Sequence, residues 1–86
     1  MIKHIYLYKL KGKAQTAEIA ARLMTMKDRI PSVCDVETGI NFVGAGASFD
    51  LMELVTCRNM EDFQAFCRDP YRDSIRKYMK DRVVEG

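Results

Sequence analysis

Tryptophan is absent from this sequence, and histidine, cysteine and proline are scarce, with one, three and two copies among 86 residues. The cysteines, Cys34, Cys57 and Cys67, are odd in number and match neither a CxxC motif nor the ligand spacing of a zinc site. We therefore expect reduced thiols, as in a cytoplasmic protein, and no metal ion or other cofactor. The first apolar segment is interrupted by Lys3 and Lys9, so it predicts neither a signal peptide nor a membrane span.

An excess of charge of one sign is also lacking. The 14 basic and 12 acidic residues leave a net charge of +2, which is too small to indicate a nucleic acid or an anionic membrane as a partner. We interpret residues 1–86 as a single domain, because a chain of this length has no room for two cores. Domains this small often gain stability from a partner subunit.

The pattern of apolar residues predicts alternating strands and helices. Residues 2–10 are rich in β-branched and aromatic side chains, which is typical of a strand. From Thr16, the expected N-cap, apolar side chains recur at helical spacing until Pro31 stops the helix. The predicted strands are 2–10, 33–43, 49–57 and 82–85, and the first predicted helix is 16–30.

Capping and turn residues organise the second half of the chain. Asn59 is expected to cap a helix, with Asp62 placed to support the cap. Asp69-Pro70 interrupts that helix, and a second helical piece is expected to begin there because proline suits a first turn. Gly44-Ala45-Gly46 joins two predicted strands and lacks a following Lys-Ser/Thr pair, which favours a hairpin loop over a phosphate-binding loop.

The predicted order is β-α-β-β-α-β, which is typical of the α+β ferredoxin-like fold. That fold is a four-stranded antiparallel sheet with helices on one face. The other face here carries many apolar residues, and the chain has no further helix to cover it. A second copy is the simplest cover, so we expect a homodimer through the sheet face, sheet against sheet.

Several segments together resemble the stress-responsive dimeric A/B barrel (Dabb) family. They are the opening residues 1–5, the helix end at 30–31, the strand start at 49–51 and the run 66–72 around the helix break. The resemblance covers nearly the whole chain. It implies a homodimeric α/β-barrel with a cavity between each sheet and its helices.

The chain departs from the enzymatic members that it resembles. Plant polyketide cyclases of this family carry histidines at the positions of Leu51 and Arg72 and a tyrosine at the position of Phe66. Many members also have a His-Pro-x-His motif at the helix break, where this chain has residues 69–72. Of that catalytic set only His4 is present here.

His4 is the candidate catalytic residue, since an imidazole titrates near neutral pH and can act as a general base or acid. The other interpretation is a half-buried histidine bonded to the backbone or to a carboxylate. His4 shares its strand face with Tyr6 and Tyr8, a spacing that suits an aromatic or carbonyl-bearing ligand better than a metal. The candidate ligand-binding residues are Tyr6, Tyr8, Leu51, Phe66, Tyr71 and Arg72.

Arg72 belongs to a basic series with a spacing of four residues on the last helix. It can bind a carboxylate or phosphate bidentately. The alternative is a solvated face in which Asp69 and Asp73 neutralise the neighbouring cations. Both interpretations remain open from the sequence.

These features favour a non-catalytic homodimer that binds a small hydrophobic or aromatic molecule, or one whose role is structural. The alternative is an enzyme of lyase or isomerase type, in which His4 abstracts a proton, Tyr6 or Tyr8 donates to the enolate, and Arg72 holds an acidic tail. RNA-recognition domains share the element order. Their third strand carries basic and aromatic stacking residues, whereas residues 49–54 here are mainly acidic and aliphatic. We therefore do not expect RNA binding.

Overall fold

The computed structural model describes residues 1–42 and 49–84, which form one layer of helices on one face of an antiparallel sheet. A single 3₁₀ turn at Lys13–Gln15 precedes the first helix. The strands are β1 (Ile2–Tyr8), β2 (Asp35–Ile40) and β3 (Leu51–Cys57), and the helices are α1 (Thr16–Met24), α2 (Met26–Arg29), α3 (Met60–Arg68) and α4 (Pro70–Lys80). In the described ranges no helix is both long and apolar enough for a membrane span.

The central strand of the sheet is β3, which pairs antiparallel with β1 on one side and with β2 on the other. The β2–β3 pairing confirms the predicted hairpin. Its predicted loop, Gly44-Ala45-Gly46, lies outside the described residues, as does Val43, which was expected to end the second strand. Both strands of the hairpin are shorter than the patterns at 33–43 and 49–57 predicted.

The predicted fourth strand and the four-stranded sheet are wrong for the described part of the chain, in which the sheet has three strands. The segment after α4 forms one isolated bridge, Leu10 with Val83, at the free edge of β1. The amides of Arg82 and Val83 both donate to the carbonyl of Met79 (2.9 and 3.1 Å) and thereby close the end of α4. The Arg82 amide is therefore not available to the carbonyl of Lys11. Among the described residues, the pairing is limited to the Lys11 amide, which donates to the carbonyl of Arg82, and the Val84 amide, which donates to the carbonyl of Lys9 (2.9 and 2.7 Å).

The predicted first helix, 16–30, is divided into α1 and α2 at Thr25. The Thr25 hydroxyl donates to the carbonyl of Arg22 at 2.6 Å, a local bond that competes with regular helical pairing. Thr16 is not the N-cap, because it lies inside α1 and is buried, while Gln15 occupies the cap position without a side-chain bond. The helix does end before Pro31, since Ile30 is extended, as residues preceding proline usually are.

Both helix starts predicted in the second half are confirmed. The Asn59 side chain accepts from the amide of Asp62 at 2.8 Å and caps α3. The Asp69 side chain accepts from the amide of Tyr71 at 2.8 Å and caps α4, which begins at Pro70. Asp69 therefore explains the helix break, because it is both the C-cap of α3 and the N-cap of α4.

The two faces of the sheet have different surroundings. One face packs against the helices and forms the core, which includes Leu10, Ile19, Leu23, Met26, Ile30, Val36, Leu51, Val55, Phe66, Ile75 and Met79. On the other face, Ile5 and Leu7 are 59% and 56% exposed. They pair with Leu54 and Met52, respectively. An apolar sheet face is thus left uncovered by the described residues, as predicted.

Candidate functional site

A cleft of about 560 Å³ lies between the helix-facing side of the sheet and α4. Its aromatic lining comes from β1 and α3, its carboxyl groups from β3 and α4, and its cations from α4. The lining residues are Tyr6, Tyr8, Met26, Glu53, Phe66, Arg72, Asp73, Ile75, Arg76, Lys77, Met79, Lys80 and Val83.

The aromatic wall follows from strand periodicity. Alternate residues of β1 face the helices, which places the rings of His4, Tyr6 and Tyr8 in a row. The Tyr6 and Tyr8 rings are stacked, with centroids 5.9 Å apart and planes inclined by 14°. The His4 ring lies edge-on to Tyr6 at 4.3 Å. The two tyrosines therefore present a continuous aromatic surface to the cleft.

Glu53 supplies the buried acid of the cleft. It lies opposite Tyr6 in the sheet register, and its Oε1 accepts a hydrogen bond from the Tyr8 hydroxyl at 3.0 Å. Burial raises the pKa of the Glu53 carboxyl, while the bond from Tyr8 and the charge of Arg72 act in the opposite direction. Burial and the adjacent Glu53 raise the pKa of the Tyr8 phenol, so Tyr8 is a neutral hydrogen-bond donor.

Arg72 spans the cleft from the start of α4. Its Nη2 donates to the Tyr6 hydroxyl at 3.0 Å, and its guanidinium carbon lies 5.1 Å from the centre of the Phe66 ring. Its Nη1 also donates to the carbonyl of Cys67 at 3.4 Å. Arg72 is therefore held in place by Tyr6 and the carbonyl of Cys67, with its cation against an aromatic ring.

The other charges of α4 are only partly neutralised. Asp73 pairs with Lys77 at 3.4 Å, as the charge pattern predicted. Asp69 instead caps α4. For the ranges that the structure describes, no ion pair is found for Arg76 or Lys80, which also line the cleft. The cleft therefore carries an excess of positive charge along α4.

The structure brings Tyr6, Tyr8, Phe66 and Arg72 together in the cleft wall. Leu51 is fully buried in the core and does not line the cleft. Tyr71 also lies off the cleft wall, where its hydroxyl shares a hydrogen bond with Thr25 and its ring contacts the guanidinium of Arg29. The structure therefore groups four of the six predicted ligand-binding residues.

His4 lies beside Tyr6, at the end of the aromatic row. Its ring contacts Tyr6 and Phe63, with centroids 4.3 and 5.0 Å away, and it is not among the residues that line the cleft. Its Nδ1 is buried and has no hydrogen-bond partner within the described ranges. The interpretation of His4 as a histidine bonded to the backbone or to a carboxylate therefore finds no support at Nδ1.

Glu53 was missed in the sequence, although a signal was present. In β3 it has the same parity as Leu51 and Val55, which are both fully buried. An acid at an apolar position of a half-buried strand is unusual and indicates a hydrogen-bonded or functional group. Among the described residues, no cluster of three or more histidine, cysteine or acidic side chains is arranged to bind a metal ion.

Comparison with known proteins identifies a family and a fold. The model of the Stress responsive A/B Barrel Domain family matches residues 2–85. Comparison with curated proteins gives no match.

Solved structures of low sequence identity share the ferredoxin-like fold. A dimeric protein of unknown function and ferredoxin-like fold from Bacteroides fragilis NCTC 9343 has a TM-score of 0.75 at 17% identity, over 96% of this chain and 86% of that one. A dimeric ferredoxin-like protein of unknown function from Thermobifida fusca YX has a TM-score of 0.79 at 15% identity, over 96% and 81%. The protein At3g17210 from Arabidopsis thaliana has a TM-score of 0.85 at 11% identity, over 99% and 87%.

Proposed function

Because this chain belongs to the stress responsive A/B barrel domain family, we propose that it is a small homodimeric protein whose cleft binds a small aromatic or hydrophobic molecule. The observation that carries the proposal is the cleft itself, with a volume of about 560 Å³ and a wall made by Tyr6, Tyr8 and Phe66. Small-molecule sites typically have volumes of about 300–1,000 Å³ and are lined by aromatic and apolar groups.

The wall favours an aromatic ligand over a purely aliphatic one. The stacked rings of Tyr6 and Tyr8 offer an extended π surface, and an aromatic contact contributes about 0.5–1.5 kcal/mol beyond the area that it buries. Next to them, the guanidinium of Arg72, which contacts Tyr6 and Phe66, presents a cation that attracts the face of a ring. The ligand's ring would contact the two tyrosines and this cation.

The proposed dimer is formed by the open sheet face, sheet against sheet, as a dimeric α/β-barrel. Ile5 and Leu7 are more than half exposed, and they adjoin Leu54 and Met52 on the same face. Two of the similar solved structures are described as dimeric. In a symmetric dimer each leucine of this face is buried twice, once per subunit. Each copy contributes about 1.5–3 kcal/mol to the free energy of association.

An enzyme of lyase or isomerase type that uses His4 as a general base is the alternative proposal. A general base must come within hydrogen-bond reach of the proton that it removes. His4 lies beside Tyr6 and is not among the residues that line the cleft, and we therefore place ligand binding first.

Adjacent residues of β1 test both halves of the proposal, because Tyr6 lines the cleft and Leu7 lies on the open face. We expect 2-methylnaphthalene to bind the wild type, and Tyr6→Ala to weaken this binding about 10-fold while leaving the sedimentation coefficient unchanged. We expect Leu7→Asp to shift the protein from dimer to monomer in analytical ultracentrifugation. Failure of the wild type to bind either this probe or its hydroxyl analogue 2-naphthol would refute ligand binding, and a monomeric wild type would refute the dimer.

A further inference from the structure

Glu53 is an acid on an apolar strand face and is only 2% exposed. Its neighbours on that face of β3, Leu51 and Val55, are fully buried. A carboxyl group in such surroundings destabilises the fold unless hydrogen bonds replace its hydration. Within residues 1–42 and 49–84 its one hydrogen-bond partner is Tyr8. The protein itself therefore satisfies only part of this group.

The two oxygens of Glu53 have different surroundings. Oε1 accepts from the Tyr8 hydroxyl at 3.0 Å. Oε2 has no hydrogen-bond partner in the described ranges. It is not one of the fully buried, unpaired atoms there, so it retains some exposure to solvent. Because Glu53 borders the cleft, this second oxygen is the acceptor that remains for a group in the cleft.

We propose that Glu53 is the hydrogen-bond acceptor of the cleft and that the ligand is an aromatic molecule whose hydroxyl or neutral N–H group donates to Glu53 Oε2. Tyr8 is a positioning residue, since its phenol holds Oε1 and leaves Oε2 for the ligand. The assignment rests on the proposed ligand-binding function and names the class of molecule that the cleft selects.

The charges around the cleft determine which kind of donor fits. Arg72 acts electrostatically on Glu53, and Arg76 and Lys80 line the same cleft. An ammonium ligand would meet these like charges at short range, which is unfavourable in a partly buried site. A hydroxyl or neutral N–H group meets no such repulsion. The ligand is therefore a phenol-like or neutral N–H aromatic compound rather than an amine cation.

A purely structural role makes a different prediction. If Glu53 and Tyr8 only hold β1 to β3, the cleft is a general aromatic pocket. Such a pocket prefers a methyl group to a hydroxyl group of the same size, because the hydroxyl must lose its hydration. A hydrogen-bond acceptor in the cleft reverses that preference. Two probes that differ only in this group therefore separate the two roles.

The experiment compares 2-naphthol with 2-methylnaphthalene by titration against the full chain, monitored by naphthalene fluorescence. The protein contains no tryptophan to interfere. We expect the wild type to bind 2-naphthol at least about 10-fold more tightly, the usual effect of a hydrogen bond to a charged group. We expect Glu53→Gln to lose most of this preference while still binding 2-methylnaphthalene, because its amide group can satisfy Tyr8 and then offers the cleft an N–H donor, for which the naphthol oxygen is a weaker, neutral partner. Glu61→Gln, the same change at an exposed position of α3, should behave as the wild type.

Each outcome decides the assignment. Equal binding of the two probes by the wild type, or tighter binding of 2-methylnaphthalene, overturns it and leaves the aromatic pocket in place. That comparison needs no variant, so it holds even if Glu53→Gln does not fold. A folded Glu53→Gln protein, verified by circular dichroism, that keeps the wild-type preference also overturns it. If neither probe binds the wild type, the proposed function fails and the assignment fails with it.

Discussion

The hydrogen bond between Tyr8 and Glu53 supports a quantitative prediction about stability. Tyr8→Phe removes the donor and leaves a carboxyl group that is 2% exposed without a partner in the described part of the chain. Leaving a buried group unsatisfied costs about 1–3 kcal/mol. Because Glu53 retains only the electrostatic influence of Arg72, we expect a loss near the middle of this range, about 2 kcal/mol. In a domain of this size that corresponds to a fall in Tm of about 8–16 °C.

The assay is urea unfolding followed by circular dichroism, at one fixed protein concentration because dimerisation adds to the measured stability. Tyr78→Phe is the matched control. The Tyr78 ring packs against the guanidinium groups of Arg22 and Arg82, and no hydrogen bond of its hydroxyl is found among the described residues. We expect Tyr78→Phe to change the free energy of unfolding by less than about 0.5 kcal/mol.

The double variant Tyr8→Phe/Glu53→Met gives a sharper test. Replacing both partners of a buried hydrogen bond by apolar groups of similar shape is often nearly neutral, so we expect the double variant to recover most of the stability that Tyr8→Phe loses. A Tyr8→Phe protein as stable as the wild type would refute the reasoning. A double variant less stable than Tyr8→Phe would also refute it. That result would show that the shape of the side chains, rather than the unpaired carboxyl group, sets the loss of stability.

The pH dependence of stability should also depend on Glu53. The pKa of Glu53 is raised in the folded state, so the folded state binds more protons than the unfolded state. The contribution of Glu53 to stability is therefore lost as pH rises from the ordinary carboxyl pKa toward the raised one. We expect Glu53→Gln to remove this decline in urea unfolding at a series of pH values, and parallel profiles of the two proteins would contradict the assigned direction. At the start of α3, Asn59→Ala should lower the free energy of unfolding by about 1 kcal/mol, because it removes the cap on the Asp62 amide. Gln64→Ala, at an exposed position of the same helix, is its control, and equal effects of the two changes would show that the cap contributes nothing.

Local signals predicted much of the fold because their causes lie within a few residues. Asn59 and Asp69 cap helices by bonding amides two or three positions away. Pro31 ends the first helical segment through its effect on Ile30. The break at Thr25 was missed because apolar spacing continues across it, and the fourth strand was overestimated because the Arg82 amide is used to close α4.

The candidate site could be predicted only in part. Alternation along β1 correctly placed Tyr6 and Tyr8 on one face, and the family resemblance indicated Phe66 and Arg72, which line the same cleft. His4 follows the same alternation but is not among the residues that line the cleft, and Leu51, at the start of β3, is buried in the core. Periodicity assigns a side chain to a face of the sheet, but it does not say whether that position is covered by a helix or open to a cleft.

The sequence by itself determined the order of the elements from β1 to α4, the caps of α3 and α4 and the uncovered apolar face of the sheet, because each depends on neighbouring residues or on simple periodicity. Only the tertiary structure decided how the cleft is charged. The partners Tyr8 and Glu53 are 45 positions apart, and Tyr6 and Arg72 are 66 apart. Such pairs meet only when β1, β3 and α4 pack together, so the burial and the pKa of Glu53 are properties of the assembled fold.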